Sequence, residues 1–280
     1  MNLIAQAKKV LPSPVIDTLR PLYWKMYAWR KYAEEMDAKG LIPKNGIFAR
    51  ISIETYAYCN RKCSFCFNND RFPKRERGVM STGVFEKIVE ELASINFTGT
   101  ISLNGYGEPL LDKRLPELVS FAREKCPYAE IMFPSNGDFL TEELLSKLLK
   151  NGLDYILISN YDDFEKPNLV ELCEKYPAHI KYRNFNIIQA TNCGGVIFNR
   201  RNAFRCRPCL HPLVRVAVHW QGHIVLCCND YYEKHVFGNV KNESILEVWN
   251  SDKFNEYKRI LKRGDRAKVD ICRNCDELTI

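Results

Sequence analysis

Three cysteines fall on one short run, Tyr58-Cys59-Asn60-Arg61-Lys62-Cys63-Ser64-Phe65-Cys66, with the spacing C-x3-C-x2-C. Three thiolates so placed can hold three irons of a 4Fe–4S cube and leave the fourth iron open to an exogenous ligand. A three-cysteine zinc site and three unrelated thiols are the alternatives. A second set, Cys209-x17-Cys227-x44-Cys272-x2-Cys275, supplies four thiolates, enough to close a cube completely. Zinc suits a four-cysteine set equally well on spacing alone. With 12 cysteines in 280 residues the chain falls short of a disulfide scaffold. Its first residues, MNLIAQAKKVLPSPVIDTLR, show neither a long apolar core nor a small-residue cleavage site. A reducing compartment, the cytoplasm, is therefore expected, where clustered cysteines more often hold metal.

Composition sets the outer bounds. Hydrophobic residues make up 46% and charged residues 27%, and the 15 Phe and 14 Tyr need burial, so general disorder is excluded. No apolar run approaches the roughly 18–20 residues that span a bilayer. The net charge of +7 permits an anionic partner, but 34 acidic residues are interspersed with 41 basic ones. The basic stretch from Lys258 to Lys268 could meet phosphates. A solvated helix end is the stronger reading, because cations favour that terminus, and nucleic acid is not the expected partner.

The elements that must position these residues alternate. Residues 1–45 read as a helical, aromatic-rich extension (Tyr23, Trp24, Tyr27, Trp29, Tyr32). From residue 46 to about 200 strands are expected at Ile47–Thr55, Thr100–Leu103, Glu130–Phe133, Leu153–Ser159 and Ile180–Phe185. Helices are expected at Ser81–Ile95, Leu115–Cys126, Thr141–Lys150 and Leu169–Lys175, with Ser81 as an N-cap. Such alternation implies an α/β fold with a parallel sheet, open or closed into a barrel, whose chemistry sits at the C-terminal strand ends. Cys59, Glu108, Asn136 and Ser159 all follow expected strands. Residues 201–280 read as a separate small α+β module. A hairpin, Leu213–His219 with His223–Leu226, turns at Gln221-Gly222, and one helix is expected over Ser244–Leu261.

The cysteine run, with aromatic Phe65 before its last cysteine, resembles the radical S-adenosylmethionine (SAM) superfamily over roughly residues 47–200. The resemblance implies a partial (β/α)6-type barrel. It also implies that SAM chelates the open iron through its amino and carboxylate groups and is cleaved reductively to a 5′-deoxyadenosyl radical. Gly105-Tyr106-Gly107-Glu108-Pro109 looks like the segment that binds the SAM amino group. A glycine allows close backbone approach, and a carboxylate suits an ammonium. Ser135, Asn136 and Ser159 stand where the family places SAM-contacting polar groups, and Arg183 is a candidate for the SAM carboxylate. The bland reading of each is a strand-end polar residue or a surface ion pair.

The C-terminal motifs resemble the SPASM/twitch auxiliary-cluster domain. They are Cys209-Leu-His-Pro212, Gly222-x4-Cys227-Cys228, Phe237-Gly238-Asn239-Val240, Ser244-Ile245-x2-Val248-Trp249 and Cys272-x2-Cys275. No further cysteines follow Cys275, so the one-cluster twitch form is implied. Within the superfamily the chain resembles the aminocyclitol dehydrogenases. One position departs: Cys193, in Thr191-Asn192-Cys193-Gly194-Gly195, stands where those enzymes carry an arginine implied to face the substrate. A thiol can supply neither its charge nor its hydrogen bonds.

Three functions follow as expectations. The first is two-electron oxidation of a carbohydrate- or aminocyclitol-like alcohol, with an auxiliary 4Fe–4S cluster as electron acceptor and an external donor such as flavodoxin or ferredoxin. The second is epimerisation of a sugar or peptide, with Cys193, Cys228 or Cys206 giving a hydrogen atom. Modification of a ribosomally made peptide is a variant of either. The third is a non-catalytic iron–sulfur carrier, against which the SAM-like loops argue.

Overall fold

The structure, a computed structural model, describes residues 47–185, 191–197 and 207–277, together with Val15, Thr18, Leu19 and Glu34. Apart from those four positions, the expected N-terminal extension lies outside the described residues, as does Cys206. The chain divides into two compact units.

The larger unit takes Phe48–Ala190 and Arg215–Ser251. Its strands and helices are β1 (Arg50–Ile53), α1 (Thr82–Ser94), β2 (Thr100–Ser102), α2 (Leu115–Lys125), β3 (Glu130–Ser135), α3 (Glu142–Lys150), β4 (Tyr155–Asn160), α4 (Pro167–Lys175) and β5 (Ile180–Asn184). The sheet runs β5-β4-β3-β2-β1 with every neighbour parallel. Ile51, Ile53, Ile101, Ile131, Phe133, Ile156 and Ile158 are fully buried, as strands covered on both faces require. The helices bury one stripe each. In α1 this is Phe85, Ile88, Val89 and Leu92, and Ser81 accepts a hydrogen bond from the Val84 amide as its N-cap. Thr141 caps α3 in the same way, accepting from the Leu144 amide at 3.2 Å.

Beyond β1 the sheet continues through β6 (Arg215–Val218), parallel to β1, and then through β7 (His223–Val225) and β8 (Val236–Asn239), both antiparallel to their predecessors. Six parallel strands with helices between the first five make the partial (β/α) barrel, and β6–β8 extend its edge. Helix α6 (Ile245–Asn250) starts at a capping box between Ser244 and Glu247.

The smaller unit takes Thr191–Val214 and Asp252–Ile280, with the first 47 residues. Its described helices are α5 (His211–Val214), α7 (Asp252–Lys262) and α8 (Asp270–Arg273). Phe254 and Leu261 of α7 are fully buried, and the Leu261 carbonyl accepts from the Cys209 amide at 3.0 Å.

Three expectations need correction. The strand expected from Leu213 begins only at Arg215, because the Leu213 and Val214 amides turn back onto the Leu210 carbonyl and close α5. The single helix expected over Ser244–Leu261 is two helices. Ser251 is extended (φ −60°, ψ 148°), and its hydroxyl donates to the Val248 carbonyl at 2.8 Å, which ends α6. Strand β8 was not expected, since its four residues bury only Phe237.

Candidate functional site

All five strands from β1 to β5 point the same way, so the loops leaving their C-terminal ends share one edge of the sheet. The long loop after β1 carries Cys59, Cys63 and Cys66, and all three thiols line one pocket. Loop β2–α2 adds Gly105, Tyr106, Gly107 and Glu108 to its wall, the end of β3 adds Ser135 and Asn136, and the end of β4 adds Tyr161. Residues predicted from three separate stretches of sequence therefore meet in one place.

Local packing explains the two glycines. A Cβ on Gly107 would stand 1.9 Å from the Tyr56 carbonyl oxygen, and the next residue's amide, Glu108, donates to the Tyr58 carbonyl at 2.8 Å. The loop is thus laid directly on the backbone leading into Cys59. A Cβ on Gly105 would meet the Glu54 side chain at 2.5 Å. Glu54, the first residue past β1, is fully buried and accepts from the Tyr106 amide at 2.8 Å and from Arg75. Arg75 belongs to the cysteine loop, so Glu54 ties both loops to the strand end.

The cysteine loop is clamped from the other side. Arg61, between Cys59 and Cys63, donates two hydrogen bonds of 2.6 Å to Asp138 and two of 2.8 Å to Asp162. Lys166 and Asn60 also bind Asp138. Burial opposes the charge of Asp138, but the hydrogen bonds from Arg61, Lys166 and Asn60 hold it well below the usual carboxylate range. Asn60 in turn accepts from the Asn136 side chain at 2.9 Å.

Glu108 lines the pocket yet is 3% exposed. Its Oε1 accepts from Ser135 Oγ at 2.6 Å and the Leu110 amide at 3.1 Å, and its Oε2 accepts from the Asn136 amide at 2.9 Å. Burial pushes its pKa up against these bonds. Pro109 begins the 3₁₀ turn that Glu108 caps and lies buried behind the wall. Phe65 packs with Tyr161 and Phe185, with ring centroids 4.5–5.2 Å apart, and makes an apolar wall. Ser159 and Arg183 stand one layer back: Arg183 Nε donates to Ser159 Oγ at 2.8 Å.

Three observations fit the pocket to a cluster and SAM. Its donor set is three thiols. Burial, with Cys66 alongside, pushes Cys63 up to about 11, and burial raises Cys59 and Cys66 too, so a thiolate trio needs a cationic centre to form. Among the described residues no three His, Cys, Asp or Glu side chains converge as ligands of a single ion would. A cube gives each thiolate its own iron and needs no such convergence. Asn68, 4% exposed, donates to the Tyr106 carbonyl at 2.6 Å, while its buried Oδ1 has no partner among the described residues. This acceptor on the pocket wall awaits a donor such as an ammonium. Sequence reading did not single out Glu54, Arg61, Asn68 or Arg75, because their partners are remote in the chain.

The second cysteine set falls in both units: Cys209, Cys272 and Cys275 in the smaller, Cys227 in the larger. Cys228, exposed, has its carbonyl bound by the Tyr106 hydroxyl. Cys193 is half-buried at φ 46°, on a loop whose fully buried Asn192 donates from its side chain to the Asn274 carbonyl at 2.6 Å. Cys126 is buried against α1, with its thiol on the Val89 carbonyl. Among the described residues no helix is long and apolar enough to cross a membrane.

Comparison with known proteins agrees with this geometry. The radical SAM superfamily model matches residues 53–162, and SPASM, an iron–sulfur cluster-binding domain, matches residues 209–276. The chain is 30% identical over 238 residues to the S-adenosyl-L-methionine-dependent 2-deoxy-scyllo-inosamine dehydrogenase of Niallia circulans, covering 84% of this chain and 95% of that one. The crystal structure of BtrN in complex with AdoMet and 2-DOIA matches with a TM-score of 0.77 at 30% identity, over 84% of this chain and 95% of that one. BtrN in an open conformation matches with 0.67 at 28%, over 84% and 94%. A likeness that runs nearly the whole length of such a relative, with the cysteine loop and its glycine–glutamate partner in one pocket, establishes that the chain belongs to the radical SAM superfamily, an oxidoreductase-like enzyme using SAM and a 4Fe–4S cluster and carrying a C-terminal SPASM iron–sulfur region.

Proposed function

We propose that the enzyme removes two hydrogens from a carbohydrate- or aminocyclitol-like alcohol. The observation that carries this reading is the likeness over 95% of the length of a SAM-dependent 2-deoxy-scyllo-inosamine dehydrogenase. When bound, SAM and its cluster supply abstraction of a hydrogen atom from an unactivated C–H bond. The chain's own residues bind and orient. Cys59, Cys63 and Cys66 would ligate the SAM-site cluster. Glu108, Asn68 and Asn136 offer acceptors for an ammonium, and Phe65, with Tyr161 and Phe185, offers a face for a purine. Gly105 and Gly107 keep the wall flush with backbone, while Ser135 holds Glu108 and Ser159 holds Arg183. Arg183 would reach the SAM carboxylate from β5. Cys209, Cys227, Cys272 and Cys275 would hold the auxiliary cluster, the electron acceptor that a two-electron oxidation requires. A low-potential donor of the flavodoxin or ferredoxin class would supply the electron that SAM cleavage consumes. The domain reading that goes with this is a barrel over 46–200 and a twitch module over 201–280.

Anaerobic incubation of the reduced enzyme with SAM and a panel of aminocyclitols and amino sugars tests it. One substrate is expected to yield a product two hydrogens lighter, with one 5′-deoxyadenosine per turnover. Recovery of the substrate-derived hydrogen in the product, or no net oxidation, rejects it. Cys193 supports a second reading, thiol-quenched epimerisation, because a half-buried thiol stands where the resemblance puts an arginine. Solvent deuterium at the product carbon, abolished in Cys193→Ala, would select that reading. Uptake that survives the substitution removes Cys193 as the donor.

A further inference from the structure

Arg266 is the largest fully buried side chain among the described residues, at 2% exposure, and lies in the smaller unit. Its guanidinium donates from Nε to the Arg207 carbonyl (2.8 Å) and from Nη2 to the Pro208 carbonyl (3.0 Å). Nη1 donates to the Glu277 carbonyl (3.0 Å) and the Cys275 carbonyl (3.4 Å). Among the described residues no carboxylate shares it. A guanidinium taken out of water normally pairs with an anion, and among the described residues four carbonyl oxygens take the place of one.

The carbonyls it selects are the informative part. Arg207 and Pro208 lead directly into Cys209, and Cys275 and Glu277 form the end of the Cys272-x2-Cys275 turn. That turn is itself closed by the Cys275 amide on the Cys272 carbonyl at 3.3 Å, and the Glu277 amide points at Cys275 Sγ at 3.5 Å. One side chain thus joins two segments, remote in sequence, that each carry a cysteine of the second set.

We propose that Arg266 is the positioning residue of the auxiliary iron–sulfur site: it pins the segments that carry Cys209 and Cys275 and sets a buried positive charge beside the cluster they hold. The inference rests on the reading of Cys209, Cys227, Cys272 and Cys275 as cluster ligands. Groups behind the ligands of a metal centre fix its geometry and tune its potential. A fixed cation favours the more negative, reduced cluster, and so suits a centre that must accept an electron. Lysine cannot replace the fork, since its three donors radiate from one nitrogen while those of arginine spread over a plane.

The test uses the full chain carrying Cys59→Ala/Cys63→Ala/Cys66→Ala, so that any remaining iron belongs to the second set. Arg266, Arg266→Lys and Arg266→Gln forms are reconstituted anaerobically. Each is read for iron and sulfide content, rate of iron release to a ferrous chelator, midpoint potential by electron paramagnetic resonance, and folding by circular dichroism. About four irons are expected with Arg266 present. Both substitutions are expected to speed iron release roughly ten-fold or more, because the outer support is lost. The midpoint is expected to fall in Arg266→Gln and to stay nearer the parent value in Arg266→Lys, which keeps the charge. A folding defect alone would not separate the two variants in potential. Should the glutamine form not fold, the lysine form decides by its release rate. Parent-like release and potential in a folded variant overturn the role of Arg266 while leaving the ligand set standing. A parent that holds no iron overturns the ligand set, and the proposal with it.

Discussion

Glu54→Gln keeps the shape of a side chain that the surroundings use wholly as an anion. The Glu54 carboxylate is fully buried and Arg75 is 8% exposed. One carboxylate oxygen accepts from Arg75 Nη2 at 2.5 Å and from the Tyr106 amide at 2.8 Å, and the other also binds Arg75 and takes the Trp220 amide at 3.4 Å. Either orientation of a glutamine amide therefore sets an NH2 group against donors. Breaking a buried pair by removing one partner costs about 3–5 kcal/mol. Glu233 remains 3.2 Å from Arg75 Nη1, which places the cost near the lower end, at about 3 kcal/mol. That is a large part of the roughly 5–15 kcal/mol that holds a domain folded, and it lowers a melting midpoint by roughly 6–12 °C in a unit of this size. Denaturant and thermal unfolding of the anaerobically prepared holoprotein measure it. The decisive comparison is Glu54→Gln/Arg75→Met. Removing both charges leaves no orphaned ion, so the double variant is expected to be more stable than Glu54→Gln alone. The same loss weakens the tie between Glu54 and the loop that carries Tyr106 beside the pocket, so the Kd for SAM is expected to rise. A Glu54→Gln protein within about 1 kcal/mol of the parent, or a double variant as costly as the sum of its parts, refutes the reasoning.

Three further outcomes follow from the same unit. Burial opposes the charge of Glu233, but hydrogen bonds and charge from His219 and then His223 bring it down to about 2, against 4.5 for the free group. A depressed folded-state value means stability present above the unfolded value and lost as pH falls through 4.5 toward 2, amounting to about 3 kcal/mol at most. Acid titration of the parent is therefore expected to show a steeper loss over that window than Glu233→Gln, and equal slopes would remove the pairing. Gly107→Ala must drive a methyl into the Tyr56 carbonyl and is expected to cost about 2 kcal/mol or more, with SAM-site iron lost on gel filtration. An alanine protein with full iron and unchanged melting would show that the loop is not seated there. Arg61→Ala leaves Asp138 to Lys166 and Asn60 and is expected to cost about 1–3 kcal/mol and loosen the cysteine loop. Iron release as slow as in the parent would deny Arg61 that role.

What could be read from the sequence was what is local in it. The amphipathic stripe of α1 and its N-cap Ser81 are each complete within a few residues, and both are found as expected. Pairings over long separations left no trace. Nothing near Glu54 announces an arginine 21 residues on, and Arg61 meets Asp138 across 77 residues. The two-helix break at Ser251 was masked because the apolar spacing of α6 and α7 continues through it, while the break depends on one hydroxyl finding the Val248 carbonyl. Strand β8 carries no period-two pattern, and its place comes from pairing with β7. The remote pairs are also those that shape the pocket, so the sequence showed the ligand types before it showed what holds them in place.

Glu108 is where these two kinds of information meet. The glycine–glutamate motif reads as an ammonium ligand, whereas the structure shows three donors from the chain on the same carboxylate. The two roles are compatible only if Oε2, which takes just the Asn136 amide, has its remaining lone pair available to the pocket. Glu108→Gln separates them. Its NH2 group at the Oε1 position strands the Leu110 amide, and at the Oε2 position strands the Asn136 amide; the Ser135 hydroxyl can adapt, but neither backbone N–H can. One buried unpaired donor costs about 1–3 kcal/mol, readable in denaturant unfolding. A lost charged hydrogen bond to SAM, worth about 1.5–3 kcal/mol, weakens SAM binding by roughly 10- to 150-fold, readable by equilibrium dialysis. A protein that loses stability while binding SAM within about two-fold of the parent makes Glu108 a brace between β2 and β3 and moves the ammonium to the unpartnered Asn68 Oδ1. A protein of unchanged stability refutes the hydrogen-bond assignment itself, because no placement of an amide can satisfy all three donors.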